Sequence, residues 1–356
     1  MANTERVKEA VARAGLDAVV LMDDRDIYYA TGFLPTDSAA IIARDAAWLV
    51  TDSRYIEAAQ NQAAPGVEVI LTTRERPLLS ILHELAERSS LEKLGAEEEK
   101  LSHAMYLRLE KALGRELLPA QEMLVELRAC KTQEELRSLI AAQRIAETAL
   151  EEVLPLIKPG AVEREIAAEL TYRMRMHGAE GNSFDPIVVT GAKSSMPHGV
   201  PGDEVVKSGD FVTMDFGCLK NGYCSDMTRT VAVGSATDEM RNVYYTVLEA
   251  QKAGIAVARP GVPGADIHNA AAKVIADAGY GAYFGHGFGH SLGLDIHEQP
   301  SASPANLRPM PEGAVISAEP GIYLPGKFGV RIEDVLYLTG DGCENITKAP
   351  KDLLIL

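Results

Sequence analysis

The chain has 356 residues, 46% of them hydrophobic and 24% charged, and this length favours two domains over a single core. Its formal net charge of −16 argues against a nucleic-acid partner, because the phosphate backbone would be repelled. The first residues are polar, and no apolar run approaches the roughly 20 residues that span a bilayer. We therefore expect a cytoplasmic protein with no membrane segment and no secretory leader.

The first 120 or so residues alternate between helix-like and strand-like patterns. Residues 7–14 and 77–88 have helical periodicity, and short apolar runs typical of buried strands lie at 18–22, 46–51 and 67–71. This alternation predicts an α/β layer domain. A longer helix is expected after Thr132, which can cap it, with Glu134 and Glu135 in its first turn. The predicted domains are residues 1–125 and 126–356.

The second part contains an internal repeat that is visible in its spacing. Two sets of positions recur about a hundred residues later, with steps of 7 and 12 in one set and 6 and 2 in the other. The sets are Pro159, Ile166, Gly178 with Pro260, Ile267, Gly279, and Gly209, Asp215, Gly217 with Gly313, Glu319, Gly321. The offset is too long for a solenoid repeat. It predicts one duplicated α+β unit about a pseudo-twofold axis, with two acid-bearing strands meeting at the centre.

Asp215 and Asp226 lie in apolar segments on either side of a turn signal, Asn221-Gly222. A two-residue turn there places position 215 opposite position 228, which brings Asp226 to the same face as a diagonal neighbour. Two carboxylates this close are unfavourable unless a cation or a proton lies between them. The alternative is a pair of solvated aspartates at a hairpin end, which their apolar neighbours disfavour.

A second hairpin is predicted with its turn near Pro325-Gly326. Glu319 ends the first apolar strand and Glu333 lies within the strand that returns. Arg331 shares a face with Glu333 by the period of two. Taken alone, these two residues are also compatible with a structural ion pair, but the duplicated acid-bearing hairpin favours a common function.

Between the hairpins, residues 284–298 read Phe-Gly-His-Gly-Phe-Gly-His-Ser-Leu-Gly-Leu-Asp-Ile-His-Glu. Glycine at this density lets the backbone pass close to a ligand. His286, His290 and His297 together indicate a site, although a single histidine is usually structural. His198 lies in a loop shortly before the first acid-bearing strand. We expect the other four histidines, at positions 83, 103, 177 and 268, at the surface.

These motifs together resemble the pita-bread metallopeptidases, and within them the branch of Xaa-Pro dipeptidases (prolidases) and aminopeptidase P. The resemblance rests on Asp215 in Met-Asp-Phe-Gly, Asp226 in Ser-Asp-Met-Thr-Arg-Thr, His290 in Gly-Phe-Gly-His-Ser-Leu-Gly, Glu319 in Glu-Pro-Gly-Ile-Tyr and Glu333 in Val-Arg-Ile-Glu-Asp. The segments Tyr29-Ala-Thr-Gly-Phe and Thr51-Asp-Ser-Arg-Tyr extend it over nearly the whole chain. One departure is Ser291, where many relatives carry glycine. The implied fold is α+β, a duplicated pita-bread catalytic domain after a smaller α/β (creatinase-like) N-terminal domain.

The resemblance implies that Asp215, Asp226, His290, Glu319 and Glu333 bind two divalent cations. Four carboxylates and a neutral imidazole contribute −4, which two divalent cations balance. The oxygen-rich set suits manganese, with cobalt or zinc as alternatives. The implied reaction is hydrolysis of the bond before proline, in Xaa-Pro dipeptides or at the N-terminus of Xaa-Pro peptides, by a hydroxide that bridges the metals.

Further roles follow from the same resemblance. Glu319 is the implied carrier of the proton to the leaving nitrogen. His198 and His297 would hold the substrate carbonyl or the developing oxyanion. His286 is implied to contact the substrate or to support the ligands, and Arg331 to orient the acids. Phe184 corresponds to a position that lines the proline pocket in relatives, but equally fits an ordinary core. We also expect a homodimer.

Three other functions stay open at this stage. A methionine aminopeptidase shares the catalytic domain, but such enzymes usually lack a counterpart of residues 1–125. A creatinase-like hydrolase without metals and a non-catalytic binding module on the same fold are both expected to have lost ligands, whereas this chain keeps all five. The choice between dipeptidase and aminopeptidase depends on whether the cleft is closed beyond the proline. The length of the chain favours dipeptides.

Overall fold

The structure, a computed structural model, describes residues 2–356, and the chain forms two compact units, Met1–Arg128 and Ala129–Leu356. The boundary predicted from the sequence pattern, between residues 125 and 126, lies three residues before this division. Within residues 2–356, none of the helices combines the length and the apolar character needed to cross a bilayer.

The first unit is built on a six-stranded mixed sheet in the order β4-β3-β2-β1-β5-β6. Its elements are α1 (Thr4–Arg13), β1 (Ala18–Leu21), α2 (Asp24–Thr31), β2 (Ala39–Ala43), β3 (Ala47–Thr51), α3 (Ile56–Gln62), β4 (Val67–Leu71), α4 (Leu78–Arg88), β5 (Leu94–Ala96), α5 (His103–Leu113), β6 (Leu117–Pro119) and α6 (Gln121–Ala129). Every residue of β1, β2 and β3 is buried, as expected for strands covered by helices on both faces. The predicted α/β layer domain is confirmed.

Helix α1 begins three residues before the sequence pattern predicted. The polar residues Thr4 to Arg6 form its first turn, where the Thr4 hydroxyl donates to the Ala30 carbonyl at 2.6 Å. The apolar pattern begins only at Val7, so periodicity alone could not locate the start.

The second unit places its long helices around two acid-bearing hairpins. Its elements are α7 (Gln133–Val153), α8 (Glu163–Met176), β7 (Gly181–Asn182), β8 (Ile187–Thr190), β9 (Phe211–Phe216), β10 (Cys218–Lys220), β11 (Tyr223–Cys224), β12 (Met227–Ala232), α9 (Asp238–Val257), α10 (Gly264–Asp277), β13 (Gly289–Ser291), β14 (Glu298–Ala302), β15 (Val315–Ala318), β16 (Gly321–Leu324), β17 (Phe328–Arg331), β18 (Asp334–Thr339) and β19 (Gly342–Asn345). Thr132 caps α7 in a reciprocal capping box with Glu135, as predicted.

The backbone of this unit repeats the pattern that the spacing predicted. The paired glycines adopt matching left-handed conformations, Gly160 and Gly261 with φ of 98° and 83°, Gly178 and Gly279 with 93° and 86°, and Gly209 and Gly313 with 91° and 85°. Equivalent hydrogen bonds recur as well, from Gly160 N to Val206 O and from Gly261 N to Met310 O. Because only glycine adopts these angles at little cost, both halves retain it at the same turns.

The first hairpin has the predicted register. Asn221 and Gly222 both have positive φ, 51° and 75°, as a two-residue type I′ turn requires. Asp215 then pairs with Thr228 across β9 and β12. Asp226 precedes β12 by one residue, at a break in the ladder where β10 and β11 leave the sheet.

The second hairpin opens at its acids. Ala318 pairs with Asp334 and Gly321 with Arg331, so Glu319 and Glu333 occupy facing positions between the two paired stretches. Glu333 therefore lies between β17 and β18 rather than inside a strand. The backbone amides of both acids donate hydrogen bonds to segments outside this hairpin. Glu319 N donates to Phe288 O at 2.8 Å, and Glu333 N donates to Thr228 O at 3.1 Å.

A substitution at Gly217 tests how closely the backbone of the first hairpin packs beside Asp226. A Cβ at this position would lie 1.9 Å from the Ser225 carbonyl oxygen, so we expect Gly217→Ala to lower the free energy of unfolding by about 1–3 kcal/mol. Gly340→Ala is the matched control, since a Cβ at Gly340 would have no heavy atom within 4 Å. Equal urea-unfolding free energies for the two variants would contradict the close packing.

Candidate metal centre

Three of the five predicted ligands converge at one point. One ligand atom from each of Asp226, His290 and Glu333 lies within 4.8 Å of the other two. The acids come from the breaks in the two hairpins and His290 from β13, so the chain assembles this point from three separate segments. Asp226 and Glu333 are buried, at 4% and 2% exposure, and His290 is partly open.

Glu319 joins this cluster through His290. Its Oε1 lies 3.3 Å from His290 Nε2, which in turn lies 3.6 Å from Asp226 Oδ2. Ser317 fixes both residues, because its hydroxyl donates to Glu319 Oε1 at 2.9 Å and accepts from the His290 amide at 3.0 Å. Glu319 and His290 are partly open, so this side of the cluster is accessible to solvent.

Asp215 is linked to this cluster through a buried arginine, Arg331. Arg331 donates from Nη2 to Asp215 Oδ2 at 2.5 Å and from Nε to the Thr228 hydroxyl at 3.0 Å. That hydroxyl donates to Glu333 Oε2 at 2.7 Å. Each acid thus has one carboxylate oxygen bound by the protein.

The other oxygens of these two acids lack partners. Asp215 Oδ1 and Glu333 Oε1 are buried without a hydrogen-bond donor among residues 2–356. A buried acceptor without a donor is costly, and it is normally satisfied by protein, water or an ion. Four carboxylates with one imidazole are the donor set that manganese and related divalent cations prefer. The residues present therefore fit divalent cations.

Burial, followed by mutual repulsion, controls the protonation of the carboxylates in this cluster. Burial, and then the charge of Asp215, raises the pKa of Asp226 well above its usual range. Burial and then Asp226 do the same for the pKa of Glu333. Burial disfavours a charged His290, but the hydrogen bond and charge of Glu319 outweigh it and raise the pKa of the imidazole to about 9.

The outer histidines surround this cluster. The ring of His297 packs edge-on against that of His290, with centroids 4.4 Å apart. His198 is exposed, and its charge contributes to lowering the pKa of both His286 and His297, after burial as the main cause. The structure thus brings the four histidines to one neighbourhood. Phe184 lies half-buried in the bend after β7, and its place in a proline pocket stays a prediction.

Tyr323 is a functional candidate that the sequence analysis missed. Its hydroxyl accepts from Arg331 Nη1 at 2.9 Å and lies 2.9 Å from His286 Nε2. It therefore joins the arginine that holds Asp215 to the histidine beside the cluster. Its position four residues after Glu319, in Glu-Pro-Gly-Ile-Tyr, was the available signal.

The expectation that His268 lies at the surface is wrong. His268 is buried on α10, at 8% exposure, and its ring stacks on Phe284 at 5.2 Å between centroids. Phe284 in turn meets His286 edge-on at 5.1 Å. Burial and then the charge of His286 lower the pKa of His268. The polar character of the residue concealed that this face of α10 packs inward. His83, His103 and His177 are exposed as expected.

Glu298 is a second missed residue, and it shapes the loop that carries His297. Its Oε1 accepts from the amides of Leu294 and Asp295 at 3.0 and 3.1 Å. Its Oε2 binds Lys131 Nζ at 3.0 Å in a pair with side-chain exposures of 7% and 1%. A buried pair of this kind holds a loop in one conformation, because losing either partner leaves the other charge buried without a counter-charge.

The protonation of this cluster predicts proton release on metal binding. A pKa of about 9 keeps a proton on His290 at pH 7, and the raised pKa values of Asp226 and Glu333 favour their protonated forms. Any proton held by a ligand must leave before that residue binds a cation. Apparent Mn²⁺ affinity should therefore rise with pH up to about 9. Calorimetric titrations at pH 7 in two buffers of different ionisation enthalpy measure the release. Identical heats in both buffers would mean that no protons leave.

The comparisons with known proteins agree with this geometry. The creatinase/prolidase N-terminal domain matches residues 4–130, and metallopeptidase family M24 matches residues 137–340. A Xaa-Pro dipeptidase of Pyrococcus furiosus is 36% identical over 98% of this chain and 99% of its own length. The solved structure of a Xaa-Pro dipeptidase from Bacillus anthracis superposes with a TM-score of 0.94, at 38% identity and 99% coverage of both chains. That of an X-Pro aminopeptidase from Thermotoga maritima gives the same TM-score at 36% identity, with 100% of both chains covered.

An N-terminal creatinase/prolidase domain, a duplicated α+β unit and a carboxylate-rich cluster at its centre thus occur together in one chain. The protein belongs to metallopeptidase family M24 and carries a creatinase/prolidase N-terminal domain, and its full-length relatives include proteins named Xaa-Pro dipeptidase.

Proposed function

We propose that this chain hydrolyses the peptide bond before proline with two divalent cations held by Asp215, Asp226, His290, Glu319 and Glu333. The observation that carries the proposal is the pair of buried, unpartnered oxygens Asp215 Oδ1 and Glu333 Oε1 beside a convergent histidine. Dipeptidase relatives along the full length support the substrate class. Two cations at this site would supply an acidified water for attack and would polarise the scissile carbonyl.

Glu319 is the proposed proton carrier. The nitrogen of an Xaa-Pro bond has no hydrogen, so it must gain a proton before proline leaves as a neutral amine. Glu319 is only partly buried, at 18% side-chain exposure, and Ser317 fixes one of its oxygens. A carboxylate held in this way accepts a proton from the attacking water and delivers it to the leaving nitrogen.

The histidines are proposed to hold the substrate oxygen. His297 has a pKa lowered by burial and by His290, so the ring is neutral at pH 7 and can donate one hydrogen bond without adding charge. His198 is exposed, influences the pKa of His297 and offers a second donor. Two donors aimed at the carbonyl would stabilise the negative charge that develops during attack.

The remaining assignments support these roles. Arg331 orients Asp215 and, through Thr228, Glu333, and His286 contacts the substrate beside Tyr323. Phe184 lines the proline pocket. Manganese is the proposed native metal, with cobalt or zinc as substitutes, and the enzyme acts as a cytoplasmic homodimer.

Metal removal and one substitution test this mechanism. We expect chelation to abolish Xaa-Pro hydrolysis and Mn²⁺ to restore it. We expect Glu319→Gln to lower kcat by roughly 10²- to 10⁴-fold, the range typical of a lost general acid–base. Glu312→Gln is the control, because Glu312 is an exposed carboxylate in the same unit. Activity that survives both chelation and Glu319→Gln would refute the mechanism.

Substrate length separates a dipeptidase from an aminopeptidase. The shared TM-score of 0.94 with a dipeptidase and an aminopeptidase structure makes both activities candidates, and chain length favours dipeptides. We expect kcat/KM for Ala-Pro to exceed that for Ala-Pro-Ala. The assay should use equal metal loading for both peptides. Faster cleavage of the tripeptide would assign the enzyme to the aminopeptidase branch instead.

A further inference from the structure

Gln251 lies beneath the second hairpin without being a ligand of the proposed metals. It is on α9 and fully buried. Its Nε2 donates to the Ala318 carbonyl at 3.0 Å and to the Ile332 carbonyl at 3.3 Å. One amide group therefore contacts both strands of the hairpin at once.

The two carbonyls directly precede the two acids. Ala318 is followed by Glu319 and Ile332 by Glu333, at the break where the acids face each other. The backbone there cannot complete its own ladder, because both acid amides bond to other segments and Pro320 has no N–H to donate. Ala318 and Ile332 are both fully buried, and Pro320, which faces Ile332 in this register, has no N–H, so the Ile332 carbonyl requires a donor from elsewhere. Gln251 is that donor.

The oxygen of the Gln251 amide is held by a charged lysine. Gln251 Oε1 accepts from Lys351 Nζ at 2.9 Å. Lysine can only donate and a carbonyl can only accept, so these contacts allow a single orientation of the amide. Lys351 also binds Asp334 Oδ2 at 2.5 Å, and Arg229 binds Asp334 Oδ1 at 2.9 Å. Gln251 is thus anchored to a buried ion-pair network rather than free to turn.

We propose that Gln251 is a positioning residue that holds the second hairpin open, so that Glu319 and Glu333 both reach the proposed metals. A ladder that continued through this point would hold the two facing acids at the spacing of paired strands. The amide keeps their backbones apart and turns both side chains toward the cluster. The proposal rests on the two-metal function proposed above.

Direct Mn²⁺ binding to the metal-free protein tests this role. Gln251→Leu removes the donor, and Gln251→Glu keeps the size and the Lys351 contact but presents an ionised group that only accepts. We expect both variants to bind Mn²⁺ about 10- to 100-fold more weakly, as is typical when a partner that orients ligands is lost. Calorimetry gives the affinity, and thermal unfolding of the metal-free proteins reports their stability separately.

Gln143→Leu is the matched control. Gln143 is also a fully buried glutamine, on α7 of the other half, but neither amide atom has a hydrogen-bond partner among residues 2–356. We expect this variant to keep wild-type Mn²⁺ affinity. If Gln251→Leu fails to fold, the comparison between Gln251→Glu and Gln143→Leu decides the question.

Unchanged Mn²⁺ affinity in the Gln251 variants would overturn this inference alone, even if their thermal stability fell. An equal loss of affinity in Gln143→Leu would overturn it too, because the effect would then follow from any buried glutamine. A wild-type chain that binds no second Mn²⁺ would overturn the proposed function, and this inference with it.

Discussion

Repulsion between buried carboxylates is the constraint on which the second unit depends. Asp226, Glu333 and Glu319 lie around His290, and Asp215 joins them through Arg331, although three of these four acids are buried. Such a group is stable only if the surrounding protein holds it together and cations or protons neutralise it. Arg331 neutralises one side through Asp215, and His290 the other through Glu319. The surrounding elements of the second unit hold these four acids together despite their repulsion.

Duplication offers a simple way to meet that constraint. Each half contributes a hairpin whose ladder is interrupted beside its acids, near Asp226 in the first and between Glu319 and Glu333 in the second. An interrupted ladder leaves backbone groups without partners, and each half satisfies them differently. The first uses Ser225, which bonds to Cys218 through both its amide and its hydroxyl. The second uses Gln251 from a helix. The two halves are therefore alike in topology and different in their supporting side chains.

The sequence predicted the parts of the site that local patterns determine. Asn221-Gly222 specified the turn, and the turn specified that Asp215 pairs with Thr228. The spacing of glycines and acids revealed the duplication, since left-handed turns require glycine wherever they recur. The resemblance to a known family then supplied the ligand set and the fold.

Long-range contacts explain what was missed. Gln251 lies nearly seventy residues before Glu319, and nothing in the local pattern of α9 marks it as a hairpin donor. The burial of His268 depends on how α10 packs against Phe284, which a helical context alone cannot tell. Glu298 looked like the end of a motif, and only its bonds to Lys131 and to the loop amides reveal its role.

Thr228 has a consequence for how far the two halves can move. Its carbonyl accepts from the Glu333 amide, and its hydroxyl both donates to the Glu333 carboxylate and accepts from Arg331. Its backbone also pairs with Asp215. Thr228 therefore connects Asp215 of the first half to Glu333 of the second, and its own covalent dimensions limit the distance between these two acids. Sliding one half along the other would break all of these bonds together, so the separation of the acids is set by a single threonine.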